Sequence, residues 1–165
     1  KDTRPILEAT IDVMGKNIKI YNVHFPSGFH DVSMRLDSLR LLKELLMNQN
    51  DPTIALGDFN VNTKEDNKLN IYKSQQEEWI VAHLVGCGLC KGSYYYNYGK
   101  TWEYLDTIFL SKDRGISYVP ESIVIHNTPG NSYSDTGKPI NFNATNKYGV
   151  SDHLPMVAKF KIDTL

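Results

Sequence analysis

The sequence predicts an α+β fold in which sheets are covered by helices. Several short segments alternate apolar and polar residues and are rich in β-branched and aromatic types, which is typical of half-buried strands. One stretch instead repeats leucine at helical spacing. The chain has 165 residues, of which 41% are hydrophobic, and these values suit a single globular domain with a real core.

The first third of the chain predicts a hairpin, a helix and a buried strand. Residues 6–13 and 18–25 alternate and are joined by the polar segment MGKN, so they predict a β-hairpin. A helix is expected from Ser33 to Met47, with Ser33 as its cap. Residues 53–58, TIALGD, predict the next strand. The leucines that repeat along the helix are Leu36, Leu39, Leu42 and Leu46.

The remainder predicts one more helix and several strands. The polar stretch NTKEDNKL is expected to open a loop. Pro120 has no backbone N–H to donate, so the strand that contains it is expected at a sheet edge. The expected elements are a helix at 70–85, strands at 93–98, 104–110, 117–125 and 155–162, and a long loop at 126–150. A loop of that length in one domain is more often functional than idle.

Charge and composition exclude some classes of function. The formal net charge is -1, so the chain does not resemble a basic protein that coats nucleic acid, although an enzyme that contacts only a few phosphates remains compatible. No apolar stretch approaches the ~20 residues that a bilayer requires. The composition is that of a soluble protein, and both secretion and a cytoplasmic location stay open, as does the oligomeric state.

The two cysteines form a single C-x-x-C motif. Cys87 and Cys90 are too few for a zinc site with four thiolate ligands. A redox pair, a small local disulfide and two free thiols all remain open.

Polar residues with catalytic chemistry cluster where predicted strands begin or end. They are His24, Asp58, Asn60, Asp106, Asp152 and His153. Each of them alone has an ordinary structural explanation, because aspartate and asparagine favour turns and a lone histidine is usually packed or solvated. Asp106 is the exception, since a carboxylate within an apolar strand is costly unless a partner pairs with it.

His153 is the candidate partner of Asp106, and the pairing has a chemical meaning. A carboxylate on one imidazole nitrogen fixes the tautomer, so that the other nitrogen can take or share a proton. Asp152 could hold Mg²⁺, which favours one or two carboxylates together with phosphate oxygens. Asp58 could then accept a hydrogen bond from an attacking water. His24 and Asn60 could donate to phosphoryl oxygens. These residues predict a metal-assisted phosphoester hydrolase that uses water as nucleophile.

Four motifs in this order resemble the endonuclease/exonuclease/phosphatase superfamily, whose members include deoxyribonuclease I-like nucleases. They are NVHFPSG, GDFN, TWEYLD and SDHLP, and the resemblance extends from about Leu7 to Ile162. It implies a four-layer α/β/β/α sandwich of two mainly antiparallel sheets with helices outside.

The resemblance also implies a role for each matching residue. Asp58 would activate the water, and Asp106 would hold His153, which would act as base or as donor to the phosphoryl group. Asn60 would contact the phosphate, and His24 would donate to the phosphate or protonate the leaving group. Asp152 would bind the metal, with Mg²⁺ expected and Mn²⁺ or Ca²⁺ as alternatives.

Members of this family carry an asparagine on a first strand and a metal-binding glutamate on a following helix, both before the histidine motif, and this chain has neither. Residues 1–165 are therefore expected to supply the second, C-terminal half of the domain, with the N-terminal half as partner. A half sandwich would expose the apolar inner face of its sheet.

The expected substrate is nucleic acid, with DNA cleaved by an endonuclease as the leading hypothesis. Its support is a run of aromatic residues that could stack on bases, although packing is the more common reason for alternating aromatics in strands. The run comprises Tyr94, Tyr95, Tyr96, Tyr98, Trp102 and Tyr104. A phospholipid or inositol-phosphate phosphoesterase of the same fold is the alternative enzyme. A non-catalytic binding module is the alternative from another class.

Overall fold

A central five-stranded sheet and one long helix dominate the computed structural model, which describes residues 4–163. The strands of this part are β1 (Leu7–Val13), β2 (Lys16–His24), β3 (Thr53–Asp58), β4 (Trp79–Val81), β5 (Tyr94–Tyr96), β6 (Thr101–Glu103), β7 (Asp106–Ser111), β8 (Ile116–Tyr118), β9 (Val124–Ile125), β10 (Met156–Val157) and β11 (Phe160–Ile162). The helices are α1 (Val32–Met47), α2 (Thr63–Leu69), α3 (Ile71–Ser74) and α4 (Ala82–Val85), with a 3₁₀ turn at Gln75–Glu77.

The central sheet has the strand order β1-β2-β3-β7-β4. The predicted hairpin of β1 and β2 is antiparallel, and its turn places Met14 and Gly15 at positive φ, as tight hairpins require. β2 runs parallel to β3 through the α1 crossover, and β7 is antiparallel to β3. The parallel pair brings the ends of β2 and β3 to the same edge of the sheet. Three smaller two-stranded sheets pair β5 with β6, β8 with β11 and β9 with β10.

Helix α1 covers one face of the central sheet. It begins after Asp31, whose carboxylate accepts a hydrogen bond from the Ser33 N–H at 2.8 Å, so Asp31 is the cap and the prediction of Ser33 is wrong by two residues. Leu39, Leu42 and Leu46 are buried against the sheet. Each such side chain contributes about 1.5–3 kcal/mol through its burial.

The opposite face of the sheet is only partly covered. Ile18, Ile54 and Leu110 are buried there by residues of β8 and β11. Towards β1 the cover ends, and Leu7 and Ile11 are 61% and 39% exposed. We call this partly covered surface, formed by alternate residues of β1, β2, β3 and β7, the open face. The sheet, the helix and the open face agree with the expected fold class, with one sheet of the sandwich and its outer helix in this part of the chain.

Two predictions for residues 62–85 are wrong. Thr63–Leu69 is a helix and not a loop, because Asn62 caps it by accepting a hydrogen bond from the Glu65 N–H at 2.9 Å. The helix expected at 70–85 is broken by β4, since Trp79 and Val81 are buried where β4 pairs with β7 along the sheet edge. Tertiary pairing overrides the helical pattern at that point.

Several strands are shorter than predicted. The strand expected at 117–125 divides at Pro120 into β8 and β9, and the closing strand at 155–162 divides into β10 and β11. β8 pairs with β11 and β9 pairs with β10, both in antiparallel fashion. Pro120 lies between β8 and β9, outside both ladders, so its missing N–H leaves no ladder hydrogen bond unmade. Residues 101–103, expected to connect two strands, form β6. Residues 126–150 form a long irregular segment, as predicted.

Candidate functional site

Three of the predicted residues form a row across the open face. His24 is in register with Asp58, and Asp58 is in register with Asp106. Alternation along each strand directs these side chains to the same face as Ile18, Ile54 and Leu110. The parallel ends of β2 and β3 and the start of the antiparallel β7 therefore bring an imidazole and two carboxylates to one edge of the sheet.

The backbone of the GDFN segment fits only particular residues. Gly57 has φ 132°, and a Cβ there would lie 2.1 Å from the Val23 carbonyl oxygen of β2, so a side chain is excluded. Asn60 has φ 53°, a left-handed conformation that asparagine tolerates. Its N–H donates to Asp58 Oδ1 at 2.8 Å, and its side-chain amide donates to the Phe25 carbonyl at 2.9 Å. Asn60 thus orients the Asp58 carboxylate and ties the end of β3 to the end of β2.

Asp106 and His153 are in direct contact. His153 Nδ1 lies 2.6 Å from Asp106 Oδ2, and both side chains are about three-quarters buried. An ionised Asp106 accepts the Nδ1–H, which leaves Nε2 of His153 directed away from the pair.

A buried serine holds the two segments of this pair together. Ser93 Oγ accepts a hydrogen bond from the Asp106 N–H at 3.0 Å, and the Ser93 carbonyl accepts one from the Leu154 N–H at 2.7 Å. Ser93 is completely buried. It therefore fixes the start of β7 relative to the segment that carries His153.

His24 lies beside Asp58 and beside a cation. His24 Nε2 is 3.4 Å from Asp58 Oδ2, and the Arg4 guanidinium contacts the His24 ring. Burial lowers the pKa of His24, and the positive charges of Arg4 and His153 act in the same direction against the opposing charge of Asp106. His24 is thus neutral at physiological pH.

The other two titrating groups shift upwards. Burial and the negative charge of Asp106 raise the pKa of Asp58 to about 6, although the hydrogen bond from Asn60 opposes the shift. Burial acts against protonation of His153, but the hydrogen bond to Asp106 and the charges of Asp106 and Asp58 outweigh it and raise its pKa. The site therefore contains a carboxylate with a pKa of about 6 and an imidazole that is protonated more readily than a free histidine side chain.

The site offers donors of the kind that a divalent cation binds. One ligand atom from each of Asp58, Asp106 and His153 can be chosen so that all three lie within 4.8 Å of one another. Two carboxylates this close repel each other, as the raised pKa of Asp58 indicates, and a cation would relieve that repulsion. Asp152, the predicted metal ligand, is exposed beside His153 and lies outside that group of three.

Sequence reasoning missed Arg4 and Ser93, and it named Tyr94 only as a member of the aromatic run and not as a neighbour of His153. The Tyr94 ring lies 5.0 Å from the His153 ring, and the two residues form a backbone bridge. Arg4 and Ser93 stand in no motif, and only the fold brings them to the site. A serine directly before an aromatic strand gives no signal of its own in a single sequence.

In the aromatic run predicted to stack on bases, some side chains pack against other residues and others are exposed. Tyr104 stacks on His83 at 4.6 Å and donates its hydroxyl to the Cys90 carbonyl, so it belongs to the interior. Tyr95 packs edge-on against Trp102, whereas Tyr98 is almost fully exposed. Cys87 and Cys90 form a disulfide, one of the alternatives left open by the sequence.

Comparisons with solved structures identify the fold. No family model matches the sequence, and no curated protein matches it. An endonuclease/exonuclease/phosphatase family protein from Leptotrichia buccalis superposes with a TM-score of 0.61 at 20% identity, over 95% of this chain and 53% of that one. This part of the chain has about half of the endonuclease/exonuclease/phosphatase fold. The expected resemblance and fold class are confirmed at that level.

Two further structures have the same fold with different descriptions. D. rerio TDP2 complexed with a single-strand DNA product gives a TM-score of 0.63 at 17% identity, over 94% of this chain and 61% of that one. A Bacteroides thetaiotaomicron mannosyl-6-phosphatase gives 0.56 at 17% identity, over 90% and 53%. The chain thus spans 53–61% of the length of these three structures.

Within residues 4–163, no helix is both long and apolar enough to cross a membrane.

Proposed function

We propose that this chain carries catalytic residues of a divalent-metal-dependent phosphodiester hydrolase, and that this enzyme is an endonuclease that cleaves DNA. The observation that carries the proposal is the row of His24, Asp58 and Asp106 on the open face, closed at one end by the 2.6 Å contact between Asp106 and His153. Neither a turn nor a packing role explains why polar side chains from four separate segments meet at one sheet edge.

Asp58 is the residue that activates the attacking water. Its pKa of about 6 leaves it ionised at neutral pH, yet basic enough to take a proton as the bond from water to phosphorus forms. Asn60 keeps the carboxylate oriented through its backbone N–H. A positioned base of this kind typically contributes about 10²–10⁴ in rate.

His153 is the residue that donates to the phosphoryl group. Because Asp106 raises its pKa, His153 is more readily protonated than His24, and its Nε2–H can donate to a phosphoryl oxygen and pass a proton to the leaving oxygen. The neutral His24 contributes a hydrogen bond to the phosphate, and Arg4 adds positive charge beside it. Asn60 uses one amide N–H on Phe25, and its second N–H is the one that would contact the phosphate.

Asp152 is the carboxylate that would hold Mg²⁺, or Mn²⁺ or Ca²⁺ in its place, while Asp58 acts as base and Asp106 holds His153. A bound divalent cation would neutralise charge that develops on the phosphoryl oxygens.

The open face is the proposed contact for the N-terminal half of the sandwich. Leu7 and Ile11 are exposed there beside half-buried Ile20 and Leu56, and the catalytic row lies on the same face. Structures of this fold are nearly twice as long as the chain. A second sheet on this face would bury the apolar side chains and complete the walls of the site.

The test is metal-dependent cleavage by the protein expressed at its full natural length. Supercoiled plasmid, a single-stranded oligonucleotide, an inositol phosphate and a phospholipid would each be incubated with Mg²⁺ or with EDTA. We expect Mg²⁺-dependent nicking that is lost in His153→Ala and in Asp58→Asn. His126→Ala, which removes an exposed histidine outside the site, is the matched control.

Each outcome distinguishes the functions considered. Nicking that survives EDTA or His153→Ala would refute the proposed mechanism. Hydrolysis restricted to the inositol phosphate or the phospholipid would refute the DNA substrate and keep the chemistry. Absence of hydrolysis of every substrate would favour a binding module.

A further inference from the structure

A cavity of about 350 Å³ lies beside the candidate site, and the catalytic row does not use it. Its first wall consists of Tyr94, Tyr95 and Asn97 from β5 and the turn after it, together with Asp152. Its second wall comes from the long segment 126–150 and includes Tyr133, Lys138 and Asn141. The volume is in the range of small-ligand sites, which begin at about 300 Å³.

The first wall connects the cavity to the reaction centre. The ring of Tyr94 lies 5.0 Å from the ring of His153. Asp152 is the residue directly before His153 and also lines the cavity. A group bound in the cavity would therefore be a direct neighbour of a phosphate held at His153.

The second wall is held in shape by its own backbone. The Tyr133 N–H donates to the Lys138 carbonyl at 2.9 Å, and the Gly137 N–H donates to the Tyr133 carbonyl at 2.7 Å. Gly137 has φ 70°, the conformation that glycine adopts without strain. This turn places Tyr133, which is half exposed, and Lys138 in the lining of the same cavity.

Lys138 is a fixed cation within this wall. Its Nζ lies 3.8 Å from the centroid of the Tyr95 ring, a cation–π contact that restrains the side chain. Within residues 4–163, no carboxylate lies within salt-bridge distance of Lys138. The ammonium is thus positioned and available to an anion.

The lining restricts which groups would fit. Tyrosine hydroxyls, two carboxamides and two charged groups do not suit an acyl chain, which requires an apolar lining. A single lysine balanced by a single aspartate also does not suit a ring that carries several phosphates, whose charge would need several cations. An aromatic ring beside one cation and amide groups suits one nucleotide, whose base stacks while its phosphate is neutralised.

We infer that this cavity binds the nucleotide next to the scissile phosphate of a single-stranded nucleic acid, with its phosphate on Lys138 and its base on the Tyr133 ring. Asn97 and Asn141 supply amide groups for the polar edge of the base. The inference rests on the proposed function, since it assigns the scissile phosphate to His153.

The test measures binding without turnover. The protein at its full natural length would be titrated with a short fluorescent oligothymidylate in EDTA, with fluorescence anisotropy as readout and salt varied. Tyr133→Ala should weaken binding about 5- to 150-fold, the range found for loss of one stacked base. Lys138→Met should reduce the slope of log K against log salt by about 0.7, the value for one phosphate contact on a single strand.

Matched controls lie in the same segment outside the cavity. Lys147→Met and Tyr148→Ala remove an exposed lysine and a half-exposed tyrosine that do not line it, and both should leave affinity and salt slope unchanged. Tyr133→Phe keeps the ring and should bind like the wild type, which separates stacking from loss of fold. Lys138→Met keeps the aliphatic stem on Tyr95.

The outcomes separate this inference from the proposed function. If Tyr133→Ala and Lys138→Met behave like the controls while Mg²⁺-dependent cleavage persists, the nucleotide site is wrong and the hydrolase proposal stands. If both variants lose binding while no phosphoester is hydrolysed, the nucleotide site stands and the hydrolase proposal falls. Displacement by an inositol polyphosphate at lower concentration than by thymidine 3′,5′-bisphosphate would overturn the assignment to a nucleotide.

Discussion

Replacement of Asp58 by asparagine should stabilise the metal-free protein at neutral and alkaline pH. The Asp58 side chain is only 15% exposed, and it lies in register with Asp106, so its ionised form is disfavoured. Asparagine is nearly isosteric and cannot ionise. It keeps an oxygen to accept the hydrogen bond that the Asn60 N–H makes with Asp58 Oδ1 at 2.8 Å. The substitution therefore removes an electrostatic penalty without creating a cavity.

The magnitude follows from the pKa of Asp58, which rises from 3.8 to about 6 on folding. A raised pKa favours the folded state below pH 3.8, where the carboxyl is protonated in both states, and this contribution is lost as the pH rises through 6. At 1.36 kcal/mol per pKa unit, the loss at pH 8 is about 3 kcal/mol, and half of it is reached near pH 5. Asp58→Asn should thus match the wild type at pH 3 and exceed its free energy of unfolding by about 3 kcal/mol at pH 8.

The assay is urea unfolding of both proteins in EDTA at several pH values between 3 and 8. Asp37→Asn is the control, because the Asp37 side chain is 64% exposed and makes only a surface pair with Arg40. That substitution should change the free energy of unfolding by less than about 1 kcal/mol. A difference between Asp58→Asn and the wild type that is the same at pH 4 and pH 8, or a variant that is less stable at pH 8, would refute the reasoning.

Three further predictions concern the neighbourhood of the site. Ser93→Ala should lower the free energy of unfolding by about 1–3 kcal/mol, because it leaves the Asp106 N–H without its partner, and an unchanged urea midpoint would contradict this. Burial lowers the pKa of His83 from 6.5 to about 4. The neutral His83 ring therefore contributes its full stability above pH 6.5, and about 3 kcal/mol of the free energy of unfolding is lost as the pH falls through 4. Urea unfolding of His83→Gln should therefore depend less on pH between 7 and 4 than unfolding of the wild type. Reduction of the Cys87–Cys90 disulfide should cost about 2 kcal/mol, because the closed loop is short, and dithiothreitol should not affect the double serine variant in the same assay.

The predictable parts of the fold are those whose sequence pattern and tertiary role agree. The alternation in β1 and β2 and the leucine spacing in α1 are the patterns that the sheet and its helix require. The prediction of a helix for residues 70–85 fails because their apolar spacing fits a helix, whereas the free edge of β7 offers backbone hydrogen bonds that only a strand can make. The position of that sheet edge cannot be predicted from a single sequence.

The same distinction applies to the site. Residues at strand ends could be predicted to meet, since adjacent strands that end at one edge bring their terminal side chains together, and the structure places His24, Asp58 and Asp106 in one row. Contacts made through loops could not be predicted in this way. Arg4 reaches His24 from a segment without a motif, and the turn that carries Tyr133 and Lys138 depends on a glycine and two backbone hydrogen bonds.

The position of the catalytic row on the open face links the proposed catalysis to the proposed second sheet. Covering this face would remove water from Asp58 and Asp106 and would raise the cost of their two charges further. A divalent cation bound near these carboxylates would offset that cost, so cation binding and sheet docking should each strengthen the other by the same factor. The two carboxylates would therefore be most destabilising under a second sheet that holds no cation, and a bound cation would remove that penalty.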